Sequence, residues 1–222
     1  MKKTIIGLFI AMFWIGSASA DAGVNIGVSG TAALFGASAS ETDTGDDETE
    51  KVSDSDVMGA GYASVFIEKE LGSFFVGVDY VLSDLETEEN TSLRNDCTTQ
   101  ACQLGKFTQV TQKVKVTFSD LVTAYVGVKI GESFYAKAGV VNVDLTTNET
   151  LGTGSTYGNT SLDGTMIGVG GQADLPNGMF IRGEGTYMDF DGASLTSSTG
   201  VNVVKVNGVD GVTAKLSIGK TF

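Results

Sequence analysis

Eight segments of this chain alternate apolar and polar residues with a period of two, and the connections between successive segments are by turns long and short. The segments are 23–38, 57–68, 74–83, 108–130, 134–145, 165–175, 179–190 and 206–222. Long connections cover 39–56, 84–107, 146–164 and 191–205, and short ones cover 69–73, 131–133 and 176–178. A strand sends successive side chains to opposite faces, so alternation separates an apolar face from a more polar one, most cleanly in the last segment. In the first, Val24, Ile26, Val28, Ala32 and Leu34 share a face; in the third, Phe74, Val76, Val78, Tyr80 and Leu82 oppose Phe75, Gly77, Asp79 and Val81. The last opposes Val212, Ala214, Leu216, Ile218 and Phe222 to Thr213, Lys215, Ser217, Gly219 and Thr221, with Lys220 alone out of pattern.

The segment "TQVTQKVKVTFSDLVTAYVGVKI" decides the count, because it reads as two strands joined near Ser119-Asp120 or as one long strand. Its even positions Val114, Val116, Phe118, Val122, Ala124, Val126, Val128 and Ile130 are apolar, interrupted only by Asp120, which favours one strand with a local irregularity there. With one strand the total is even and the long–short alternation is strict. This is the wiring of an all-β, eight-stranded antiparallel up-and-down transmembrane barrel with long extracellular loops and short periplasmic turns. The 30 glycines, about twice the usual share, would weaken helices. A soluble secreted sandwich is the competing architecture, since it also uses short alternating strands.

The stretch "MKKTIIGLFIAMFWIGSASA" has two lysines, an apolar run and a small-residue Ala18-Ser19-Ala20 site, and reads as a cleavable secretory leader over 1–20. Its apolar run, Ile5 to Gly16, is shorter than the roughly 20 residues of a spanning helix. The barrel domain is then 21–222. The full chain carries −13; losing the two leader lysines leaves 12 basic against 27 acidic residues, a charge of −15. Such a surface repels nucleic acid, and no nucleic-acid partner is expected.

A barrel of eight strands is just wide enough inside for side chains to fill. The charges on inferred inner faces are Asp79, Lys129, Arg182, Glu184 and Lys215, expected to pair within a packed polar core, with a selective water or ion path as the alternative. Glycines at 77, 127, 168, 170 and 219 would make room for large neighbours. The facing of the second and fifth segments stays open: "GAGYASVFIEKE" is apolar on both parities, and Lys137 interrupts "FYAKAGVV". Lys137 and Lys220, both near short-turn ends, are expected to snorkel toward headgroups.

The segment 41–56 holds Glu41, Asp43, Asp46, Asp47, Glu48, Glu50, Asp54 and Asp56, which reads as a solvated, mobile run; calcium binding is conceivable, but the spacing of a calcium loop is missing. Cys97 and Cys102 are the only cysteines, and in an exported protein they are expected to form a disulfide stiffening the second long loop. Histidine is absent, which removes the commonest general base and metal ligand. Asp79 and Glu184 could in principle act as an acid–base pair, but nothing near them favours that over a charge network. No catalytic residue, metal or cofactor is therefore expected.

"FFVGVDYV" at 74–81, "FIRGEGTYMDFD" at 180–191 and the closing "AKLSIGKTF", together with the leader, resemble small eight-stranded outer-membrane barrels of the OmpA, OmpX and opacity-protein type over the whole processed length. The resemblance implies a Gram-negative outer membrane, and an assembly signal in Leu216, Ile218 and Phe222 read by the barrel-assembly machinery. Lys220 departs from that pattern, which usually has a hydrophobic residue there. No periplasmic peptidoglycan-binding domain is expected to follow. The implied partners are outer-membrane lipid, that machinery and an unidentified surface ligand, for a monomer. The expected function is non-enzymatic, structural or surface-contact (adhesion-like). A narrow channel for small cations or small solutes is the alternative, and catalysis on lipid or peptide ranks last.

Overall fold

A computed structural model describes residues 23–43, 50–96, 108–151, 156–200 and 202–222. The leader 1–20, Cys97 and Cys102, and Asp46, Asp47 and Glu48 lie outside these residues. Eight strands form the wall: β1 (Val24–Asp43), β2 (Glu50–Leu71), β3 (Phe74–Val81), β6 (Thr108–Ile130), β7 (Phe134–Thr150), β8 (Thr160–Asp174), β9 (Met179–Phe190) and β11 (Asn202–Thr221). Three short strands, β4 (Leu85–Glu86), β5 (Asn90–Asp96) and β10 (Ala193–Thr196), pair with β6, β6 and β11. Each wall strand is antiparallel to the next, and β1 pairs with both β2 and β11, so the ring is closed. Val24 and Phe222 exchange both backbone hydrogen bonds at the seam. Closure satisfies every wall strand on both sides, the condition for a sheet to stand in lipid.

The period-two faces hold in β1, β3, β9 and β11 as expected. Outward residues such as Ile167 (61 % exposed), Phe74 (58 %) and Leu216 (74 %) form a collar of bare apolar side chains, while their neighbours are buried in the lumen. On β11 this collar runs between the outward Asp210 and Lys220, and on β8 between the outward Thr165 and the turn that begins at Pro176. That is about the 9–11 tilted residues of a transmembrane strand. The ambiguous β2 faces Tyr62, Ser64, Phe66 and Glu68 inward. Short turns close one end of the barrel, where Gly72 and Gly131 take φ of 67° and 70°, a region costly for residues with a Cβ.

Two expectations need correction. First, the described residues of the long connections are largely strand. Pairing of β1 with β2 continues to Asp43 and Glu50, so residues 41–43 and 50–56 of the acidic run belong to a ribbon that prolongs the wall. The ribbon is tied sideways: Glu41 accepts hydrogen bonds from Asn202 Nδ2 (2.7 Å) and Tyr157 Oη (3.3 Å). Extension costs little once the hairpin has a register, because each added pair makes its own ladder bonds.

Second, β6 is one strand, but its even residues do not keep one face. Three steps from Ser119 to Val122 match two from Asp144 to Asn142 on β7, and Asp120 sits at φ 54°, so a bulge inserts one residue. Below it Leu121, Thr123, Tyr125 and Gly127 are buried; above it Val116 and Phe118 pack on the core. A comparable shift opposite Ser38 and Ala39 turns Val206 inward on β11. Asp120 also accepts a hydrogen bond from Tyr80 Oη at 2.9 Å. Asp120→Asn, which tolerates the left-handed backbone and keeps an acceptor, is expected to leave the urea midpoint unchanged, whereas Asp120→Ala should lose about 1–2 kcal/mol.

Candidate functional site

The lumen is divided along its axis. Toward the tight turns it is charged, and toward the ribbons it is apolar. Inward positions on β2, β3, β7, β9 and β11 supply six buried ionisable residues that pair across the lumen.

Arg182 on β9 reaches Glu68 on β2 with two contacts of 2.7 Å, Nη1 to Oε1 and Nη2 to Oε2. This planar bidentate pair fixes orientation as well as distance. Its remaining Nε–H donates to Gln172 Oε1 at 2.7 Å. Glu68 also accepts from Tyr125 Oη at 2.8 Å and from Asn25 Nδ2 at 3.4 Å. Four aromatic rings, Phe66, Phe75, Tyr135 and Phe180, surround the guanidinium, whose centre lies 4.6 Å from the Phe180 centroid.

Farther from the turns, Lys137 on β7 meets Glu184 on β9 at 2.7 Å, and Tyr135 Oη donates to the other oxygen of Glu184 at 2.8 Å. Lys137 Nζ also lies 4.2 Å from the Tyr125 centroid. Lys215 on β11 meets Asp79 on β3 at 2.7 Å. The hydroxyls of Thr186 and Thr213 bond to each other beside them. Three acids and three bases are thus buried in matched pairs, which is how a low-dielectric interior tolerates charge.

Inward glycines make this packing possible. The Phe75 ring occupies the space a Cβ on Gly127 would need, and the Phe180 ring does the same at Gly219. Gly77, Gly168 and Gly170 are crowded by Tyr125, Thr186 and Tyr135 respectively, so all five glycines singled out in the sequence serve close approach.

Of the five expected interior charges, Asp79, Arg182, Glu184 and Lys215 meet partners in the lumen. Lys129 stands at the turn-end mouth, 40 % exposed, and pairs with Glu70 at 2.8 Å. Glu68 was missing from the expected set, and Lys137 corrects an expectation: it is buried and paired and does not snorkel. Lys220 is exposed, with Nζ 5.1 Å from the Phe222 centroid. Leu216, Ile218 and Phe222 all lie on the outer face of the wall. On the ribbons, Lys113 pairs with Glu89 and Lys115 with Glu86, each at 2.6 Å, and the hydrogen bond and charge of Lys113 hold the Glu89 carboxyl below the usual range. No cluster of three or more acidic or thiol ligands suited to a metal occurs among the described residues.

No family model matches this chain, and no curated protein matches it. Solved structures do. The outer membrane protease OmpT from Escherichia coli superposes with a TM-score of 0.50 at 11% identity, covering 93% of this chain and 100% of that one. The outer membrane protein OprG from Pseudomonas aeruginosa gives a TM-score of 0.46 at 15% identity, over 90% and 96% of the two chains. Ail, the attachment invasion locus protein of Yersinia pestis, gives 0.40 at 13%, over 88% and 99%. At these identities the likeness is one of fold: this chain has the architecture of the small outer-membrane β-barrels.

Proposed function

We propose that this chain is an integral outer-membrane protein of a Gram-negative bacterium whose barrel is plugged, and whose work is structural and surface contact through its paired ribbons. The observation that carries the reading is the cross-lumen set of Arg182–Glu68, Lys137–Glu184 and Lys215–Asp79, embedded in aromatic rings. With three acids matched to three bases, it lacks the single-sign ring that selects ions in a pore. The apolar collar supports placement in lipid, because soluble monomers rarely expose an apolar surface of that extent. In this placement the tight turns face the periplasm and the ribbons face outward, where their irregular surfaces would meet a ligand. Leu216, Ile218 and Phe222 offer the apolar stripe for the assembly machinery, and the barrel acts as a monomer.

The experiment is planar-bilayer recording of refolded protein. The expected result is no discrete conductance. Reproducible cation-selective steps that vanish in Asp79→Asn or Glu184→Gln would replace this reading with the narrow-channel one.

A further inference from the structure

The apolar half of the lumen contains a cavity of about 120 Å³, lined by Phe35, Met58, Phe118, Leu121, Leu162 and Phe190 among others. We propose that it is a binding site for a neutral apolar molecule the size of a single aromatic ring or a short alkane.

Three observations carry this. The first is size, since a dry apolar cavity of about 150 Å³ accepts benzene. The second is polarity. Only Asp56 and Thr87 bring polar side chains to the lining: Asp56, exposed at the mouth, accepts the Val57 N–H on Oδ1 at 2.8 Å, and Thr87 Oγ1 accepts the Val116 N–H at 3.0 Å. Water needs two to four polar partners to settle in such a space, so the lining favours an apolar occupant. None of the six plug charges lines the cavity. The third is construction. The bulge at Asp120 is what turns Phe118 inward to form part of the wall, and the register shift on β11 adds Val206 to the core packed around it. Bulges that re-aim side chains are a recurrent device beside binding sites. The cavity opens where Ala37 and Asp56 are exposed, on the ribbon side. A carboxylate-bearing ligand would meet the Asp56 charge there, so the class is neutral.

The test uses the full chain in lipid nanodiscs with ¹³C-methyl methionine, titrated with toluene. Met58 lines the cavity, whereas Met179 sits at the tight-turn end and reports partitioning into lipid. The Met58 methyl shift is expected to saturate while Met179 shows no saturable change. Ala37→Phe, which fills the mouth from an exposed position, should abolish the saturation, and Val143→Phe should do so from within. Benzoate should produce no saturation. A Met58 response that rises linearly with toluene, that persists unchanged in both variants, or that benzoate reproduces would overturn the proposal.

Discussion

Arg182→Met is expected to cost about 3–5 kcal/mol of barrel stability, the penalty of stripping one partner from a buried ion pair. The variant leaves Glu68, 1 % exposed, with only the neutral donors Tyr125 and Asn25. Urea unfolding of protein refolded into lipid vesicles measures it. The double variant Arg182→Met with Glu68→Gln should recover most of the loss, because no charge then remains to be compensated. Arg182→Lys should recover little, since an ammonium cannot make the two parallel contacts to Glu68 while stacking among four rings. A single-variant loss below about 1 kcal/mol, the range of exposed pairs, would mean that water reaches the pair and that the plug reading is wrong.

The second large effect is on the outer wall. Val169 lies near the middle of the β8 collar, paired with Ala136 and Gly185, and Val169→Arg is expected to destabilise the barrel in lipid by about 2–4 kcal/mol. Ala173 faces the same way on the same strand but lies next to the turn, and Ala173→Arg should cost only about 0–1 kcal/mol. This difference separates the two architectures left open by the sequence. On a soluble sandwich both positions are solvated and neither arginine should matter; equal, small effects would sink the membrane placement.

The strands with one clean apolar face, β1, β3, β9 and β11, were legible because lipid outside and a polar lumen inside impose the alternation directly. Where aromatic rings fill the lumen the signal is lost: Tyr62 and Phe66 point inward on β2, so that segment is apolar on both parities. Cross-lumen partners are invisible to local pattern, since Glu68 and Arg182 are far apart in sequence and three strands apart around the ring. Charge balance was the usable clue. The inferred interior set held two acids and three bases, and a buried site in that state calls for a further acid, which Glu68 supplies. The cavity itself was not legible, because it depends on a bulge whose one trace in the sequence is a break at Asp120 in a run of even apolar residues. Asp120, the lone polar residue in that run, marked the place but not its consequence.

Because β1 is hydrogen-bonded on one side to β2 and on the other to β11, removing any one wall strand would bare two unsatisfied edges to hydrocarbon at once. No subset of the eight is a smaller stable version of the whole. The barrel should therefore melt in a single step, with every probe around its circumference reporting the same midpoint.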